Sequence, residues 1–323
     1  MGPAKKRKRY PRDESLYNLI QENEVMLFLR YLPLAAWWVT GYENLWTGRG
    51  RPPKNLYDVI VCLAIRKYFN LSLRRGMGLL KLFRALGVID VKIPCFKTLD
   101  NYQRSSKIRP YLEEVMKLTT NPLRFLEHHF ASDTTGTATT CYSPWFDIRT
   151  RRQGRKRNFL TDHVTVGTRL KAAVAFDVRV DRGKHSEILR EHVKSVAESF
   201  EVEGWSLDGA YLSRENCNAI AAVGAEPWIK PKSNTTARSK GSPAWRRMVL
   251  EFRRNPEAAE RKYHRRSAVE AAISAKKRKF GSFVRAKLDT SKENEERLSW
   301  IGYNFGVLCR AAYEFRVTPE FAN

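Results

Sequence analysis

Residues 129–135 read HFASDTT, a short β-type run with one aspartate among small hydroxyl residues, and the runs that follow it decide the fold. Further segments of strand character lie at 163–170 (HVTVGTRL), 172–180 (AAVAFDVRV), 203–211 (EGWSLDGAY) and 226–231 (EPWIKP). They are rich in β-branched and aromatic residues and are bounded by turn formers. Helical periodicity fills the intervals 184–200 and 213–223, then continues over 243–256, 262–281 and 292–313. The last helix collects Leu298, Ile301, Phe305 and Leu308 on its buried face. The order β-β-β-α-β-α-β-α predicts an α/β domain with a mixed five-stranded sheet flanked by helices.

Upstream the pattern is all helical. Leu16, Leu19, Ile20 and Val25 to Leu29 set a helical period, followed by an aromatic-rich turn with Trp37, Trp38, Tyr42 and Trp46. GRGRPPK at 48–54 is a Gly/Pro break whose three cations suit a minor-groove or backbone-contacting arm. Leu56, Val59, Ile60 and Leu63 follow at i, i+3, i+4, i+7, and a second helix over 72–86 ends at Gly87. A short helix over 98–106, with Lys97, Arg104 and Lys107 in or beside it, fits a helix-turn-helix-like DNA reader and a plain packing domain alike. Another helix spans 109–120. The expected division is a basic tail (1–12), a helical N-terminal region (13–125), the α/β domain (126–315) and a C-terminal tail (316–323).

The 323 residues carry 59 Lys and Arg against 34 Asp and Glu, a net charge of +25, which points to a polyanionic partner, nucleic acid before an anionic membrane. The longest apolar run, YLPLAAWWV at 31–39, is far shorter than the roughly 20 residues that span a bilayer. No apolar segment backs the charged N-terminus as a secretory signal would require. The five cysteines are scattered without a C-x-x-C pair, which suits a reducing compartment and offers no zinc pattern. Residues 228–290 hold 18 Lys and Arg against 5 Asp and Glu, and RTRRQGRKR at 149–157 is a second cluster containing Arg151 and Arg152. Such segments bind phosphate without reading bases. His163 and His185 are candidates for auxiliary roles, with a strand-end or surface position as the plainer reading.

Three acids of the second half stand out by their places in the pattern. Asp133 interrupts the first strand in ASDTTG, and Asp208 ends the fourth in WSLDGAY. Polar residues at strand ends beside glycine mark where open α/β sheets place their sites, although a lone aspartate there also serves as a turn former or cap. The third acid is Glu270 in YHRRSAVEAAISAKK at 263–277. On one continuous helix Tyr263, Arg266, Glu270 and Lys277 fall within about 60° of one another, and Val269, Ile273 and Phe280 form an apolar stripe beside them. Three carboxylates brought into one pocket would suit hard divalent cations, and two such ions can activate a nucleophile and stabilise the leaving oxygen of a phosphoryl displacement.

These residues carry a resemblance. Tyr263, Arg266, Glu270 and Lys277 match Y-(2)-R-(3)-E-(6)-K, the signature of a large group of DDE insertion-sequence transposases. RGRPPKNLYDVIVCLAIRKYFNLSLRRGMGLL is similar to the helical region before that group's core, ASDTTG resembles its first-aspartate region, SLDGAYLSREN and KPKSN its second, and NEERLSWIGYNFGVL its C-terminal block, so that the likeness covers roughly residues 50–312. It implies a ribonuclease-H-like domain that cuts and joins DNA at element ends with two Mg²⁺ ions, or Mn²⁺. By the same likeness Asp133, Asp208 and Glu270 are the catalytic, metal-binding triad, and Tyr263, Arg266 and Lys277 contact DNA. Arg151, Arg152, Lys230 and Lys232 belong to the expected DNA-binding surface. The implied partner is double-stranded DNA, terminal inverted repeats and target, bound by a homodimer in the cytoplasm of a prokaryote, at the nucleoid. Some members carry a β-rich insertion between the second aspartate and the glutamate. Only 61 residues separate them here, so a large insertion is not expected, and Trp228 within that interval is assigned to core packing. The alternatives are a ribonuclease-H-like nuclease or resolvase without strand transfer, and a catalytically silent DNA-binding derivative.

Overall fold

A computed structural model describes residues 13–41, 52–139, 159–179, 185–319 and 321. The basic tail at 1–12, the cluster at 149–157 with Arg151 and Arg152, and Tyr42 and Trp46 lie outside the described residues. Among the described residues five helices come first: α1 (Glu14–Thr40), α2 (Leu56–Tyr68), α3 (Leu73–Ala85), α4 (Phe96–Gln103) and α5 (Arg109–Thr120). Strands β1 (His129–Ala138), β2 (Phe159–Gly167) and β3 (Ala173–Arg179) follow, then α6 (His185–Ala197), β4 (Gly204–Leu207), α7 (Arg214–Ala222) and β5 (Glu226–Ile229). Four helices close the chain: α8 (Pro243–Arg254), α9 (Pro256–Tyr263), α10 (Ser267–Phe280) and α11 (Asp289–Phe315). Ser72, Ser213 and Ser242 each cap a helix by accepting a hydrogen bond from the backbone N–H three residues on.

The sheet has the order β3-β2-β1-β4-β5, so the fold is α/β with a mixed five-stranded sheet flanked by helices and preceded by helices. β1, β2 and β3 form an antiparallel meander, and β4 and β5 add to the other edge of β1 in parallel. Side chains alternate between the two faces of the sheet. On one face α1, α2, α5, α10 and α11 share a continuous hydrophobic cluster with Ala131, Val164 and Val166 of the strands. That cluster draws on residues from both sides of position 126, among them Phe28, Leu63, Val115, Val269 and Leu308. The opposite face packs Phe130, Trp205 and Leu207 beneath α6, α7 and α8.

Several local expectations are corrected. α1 runs through the expected aromatic turn to Thr40, with Pro33 inside it, because Leu32, Ala35 and Ala36 continue the buried spacing set by Phe28. β2 begins at Phe159 rather than 163, which makes His163 a buried mid-strand residue. The expected single helix over 262–281 is two: α9 ends at Tyr263, a 3₁₀ turn spans His264–Arg266, and α10 starts at Ser267. A tightened turn barely disturbs the hydrophobic period, so the pattern passes through the break unseen.

Candidate active site

Asp133 stands where the parallel ladder between β1 and β4 stops. The last registered pair is Ser132 with Leu207, so the next residues along the two strands are Asp133 and Asp208. Beyond Leu207 the chain turns into a 3₁₀ segment, Gly209–Tyr211, and the Asp208 carboxylate accepts a 2.6 Å hydrogen bond from the Gly209 N–H. The Asp133 Oδ1 accepts one of 2.8 Å from the Thr134 N–H. Both carboxylates are therefore steadied by their own backbone, each with a second oxygen outside that bond.

α10 brings the third acid to the same face. Val269 and Phe280 are fully buried and Ile273 partly so, which seats the helix against the sheet and turns Glu270 outward. The end of α9, just ahead of the 3₁₀ turn, is tied to β4 through the Ser206 hydroxyl, which donates to the Lys262 carbonyl at 3.0 Å. Arg266, at the end of that turn, reaches both sides. Its Nη2 lies 2.6 Å from Glu270 Oε1 and its Nη1 lies 3.7 Å from Asp133 Oδ2. Burial pushes the Asp133 carboxyl above its ordinary range; Arg266 pulls the other way, and the charges of Asp208 and Glu270 push it further up. Burial works against the Arg266 charge, yet the surrounding Glu270, Tyr263, Asp133 and Asp208 raise its pKa overall.

Between β1 and α10 lies a cleft of about 540 Å³ lined by Asp133, Thr135, Glu270, Ser274, Lys277 and Ser282, among others. Lys277 forms its wall, donating to Thr135 Oγ1 at 2.7 Å and to the Gly136 carbonyl at 2.9 Å. Tyr263 ends α9 with its ring centroid 5.9 Å from the Arg266 guanidinium and 5.7 Å from the Lys230 Nζ. Lys230 is exposed and paired with Glu260 at 2.7 Å, and Lys232 is exposed on the following loop. Trp228 packs in the core, with Lys262 4.3 Å from its ring.

Behind Asp133, on the other face of β1, Thr134 Oγ1 meets Tyr211 Oη at 2.7 Å, His163 Nδ1 at 3.2 Å and His185 Nδ1 at 3.4 Å. The two imidazoles lie 4.8 Å apart. The sequence named these histidines but gave no sign of Thr134 or Tyr211 as their partners, since the pairing arises only across strands. Equally hidden was the buried cluster under α10, where Lys276 pairs with Glu296 and Thr137 Oγ1 lies 2.8 Å from Asp162 Oδ2 and 3.1 Å from Glu296 Oε1. A helix position that alternates between Lys276 inward and Lys277 outward looks, in sequence, like one basic run.

Comparison of the chain with protein-family models, curated proteins and solved structures returns no match. Among the described residues, no three His, Cys, Asp or Glu side chains converge closely enough to form a ready metal cage. The donor set nonetheless suits a hard divalent cation, being all carboxylate oxygen, and a cationic group, the Arg266 guanidinium, already lies between two of the three acids. Among the described residues, no helix is long and apolar enough to cross a membrane.

Proposed function

We propose that this protein is a DNA-cleaving and strand-joining enzyme of the DDE transposase kind, built on a ribonuclease-H-like core. The observation that carries the reading is the placing of Asp133 and Glu270 on one cleft around a shared guanidinium, with Asp208 at the adjoining strand end. Asp133 and Asp208 follow the last rung between neighbouring parallel strands, and Glu270 reaches the same guanidinium as Asp133 from α10. The strand order β3-β2-β1-β4-β5, an antiparallel meander extended by two parallel strands, supports the ribonuclease-H-like part of the proposal. Asp133, Asp208 and Glu270 would hold Mg²⁺ or Mn²⁺, which when bound supplies Lewis-acid polarisation of a phosphate and a more acidic attacking water or hydroxyl.

The chain's own contribution is position and charge. The Thr134 N–H fixes one Asp133 oxygen and so aims the other at Arg266 and the cleft. Lys277, tied to β1, keeps a positive charge on the cleft wall where a phosphate backbone would pass. Tyr263, Lys230 and Lys232 extend the basic rim from the other side, as non-specific backbone contacts for a duplex.

Incubating purified protein with Mg²⁺, DNA flanking its own gene and a target plasmid tests the proposal. Cleaved ends joined to the target are expected, and Asp133→Asn, Asp208→Asn and Glu270→Gln should each reduce cleavage to background while retaining DNA affinity. A variant that cleaves as well as the wild type removes its residue from the triad, and nicked products that are never joined favour a nuclease without strand transfer.

A further inference from the structure

The position of Arg266 bears on how such a site would be loaded. Its guanidinium touches Glu270 directly and stands 3.7 Å from the free oxygen of Asp133, with 21% of its side chain exposed. A divalent cation bound by these carboxylates would compete with the guanidinium for the same oxygens. The side chain is long, and the Tyr263 ring 5.9 Å away offers it a second resting surface through cation–π attraction. A phosphate offers it something better, two parallel charge-assisted hydrogen bonds in the planar geometry that guanidinium favours.

The geometry points to Arg266 as the residue that couples DNA binding to metal binding. In the arrangement seen here it neutralises Asp133 and Glu270. A DNA phosphate drawn into the cleft gives the guanidinium another anion, and its departure clears both carboxylates for the cation. By linkage the coupling is reciprocal: whatever factor DNA adds to metal affinity, metal adds to DNA affinity. The inference rests on the proposed role of the three acids as metal ligands.

The test measures Mn²⁺ affinity of the full chain by electron paramagnetic resonance, with and without a short random-sequence duplex, in the wild type, Arg266→Gln, Arg266→Lys and Glu270→Gln. In the wild type the duplex should raise Mn²⁺ affinity about tenfold, within the range usual for coupled sites. Arg266→Gln should bind Mn²⁺ more tightly than the wild type without DNA, and gain little when DNA is added. Arg266→Lys keeps the charge but not the fork, so it should resemble Arg266→Gln if bridging, and not charge alone, is what the arginine provides. Equal DNA dependence in the wild type and both Arg266 variants overturns the coupling while leaving the triad standing, provided Glu270→Gln has lost Mn²⁺. Failure of every variant to bind Mn²⁺, with or without DNA, overturns the metal-site reading and the coupling with it.

Discussion

Lys276 and Lys277 are neighbours with opposite surroundings. Lys277 faces the cleft, whereas Lys276 is buried beside Glu296, Asp162 and Thr137. Burial pushes the Lys276 ammonium down to about 7 and the Asp162 carboxyl up, each opposed by the other's charge. Thr137 has one hydroxyl proton for two acid oxygens at 2.8 and 3.1 Å, so it cannot satisfy both at once. Lys276 is thus the one cation directly paired with Glu296 among the described residues. Replacing it with methionine strands buried carboxyls and should destabilise the fold by about 3–5 kcal/mol in urea unfolding. His192 gives the pH dependence. Its Nδ1 lies 2.9 Å from the Thr165 hydroxyl, and burial lowers its pKa from 6.5 to about 4. Between those values the unfolded chain binds the proton and the folded one does not. This contribution to stability is therefore complete above pH 6.5 and is lost as pH falls towards 4, by on the order of 3 kcal/mol at most. His192→Gln should flatten that part of the stability–pH curve.

Among the elements, the contact of α10 with α11 sets where Glu270 sits. Gly302 of α11 lies against Phe280, the last residue of α10, and a Cβ there would stand 2.9 Å from the ring edge. Phe280 is fully buried with Tyr68 packed on it at 5.9 Å, so it has little room to yield. Gly302→Val should therefore cost about 1–3 kcal/mol by overpacking, read from the urea midpoint. The stripe of Val269, Ile273 and Phe280 that buries α10 was legible in sequence, because a helical period repeats over several turns and one irregular residue does not erase it. The five strands were legible for the same reason, through composition and flanking turns. The 3₁₀ turn at His264–Arg266 was not, and neither was the bridge from Arg266 to Asp133, which joins residues more than a hundred positions apart. Asp133 and Asp208 could be picked out as strand aspartates close to glycine, and Glu270 as the one acid in the basic stretch 263–277. The side-by-side register of the two aspartates required the pairing of β1 with β4.

For the whole molecule, the cluster shared by α1, α2, α5, α10, α11 and the sheet predicts one cooperative transition. Tryptophan fluorescence and far-ultraviolet circular dichroism should report the same midpoint, and a chain starting at residue 126 should fail to fold, since it leaves Phe305 and Leu308 without their covering helices. A net charge of +25 predicts DNA affinity that falls at least about a hundredfold between 50 and 200 mM salt, with the log–log slope reduced by about 2 in a Lys230→Glu/Lys232→Glu variant. One turn of α11 has a consequence for how the parts find each other. Glu295, Glu296 and Arg297 are consecutive and all buried. Steps of about 100° send them to three different neighbours. Glu295 meets Lys67 of α2 at 3.2 Å, Glu296 meets Lys276 of α10, and Arg297 stands 3.4–3.8 Å from Glu113 of α5 and Asp177 of β3. Apolar packing alone would tolerate α11 sliding by a turn, but three charges aimed in three directions fit at a single rotation and depth. They act as the wards of a lock: collapse can bring the helices together in several ways, and only the native docking closes every pair, so removing one of these charges should speed unfolding more than it slows folding in stopped-flow urea kinetics.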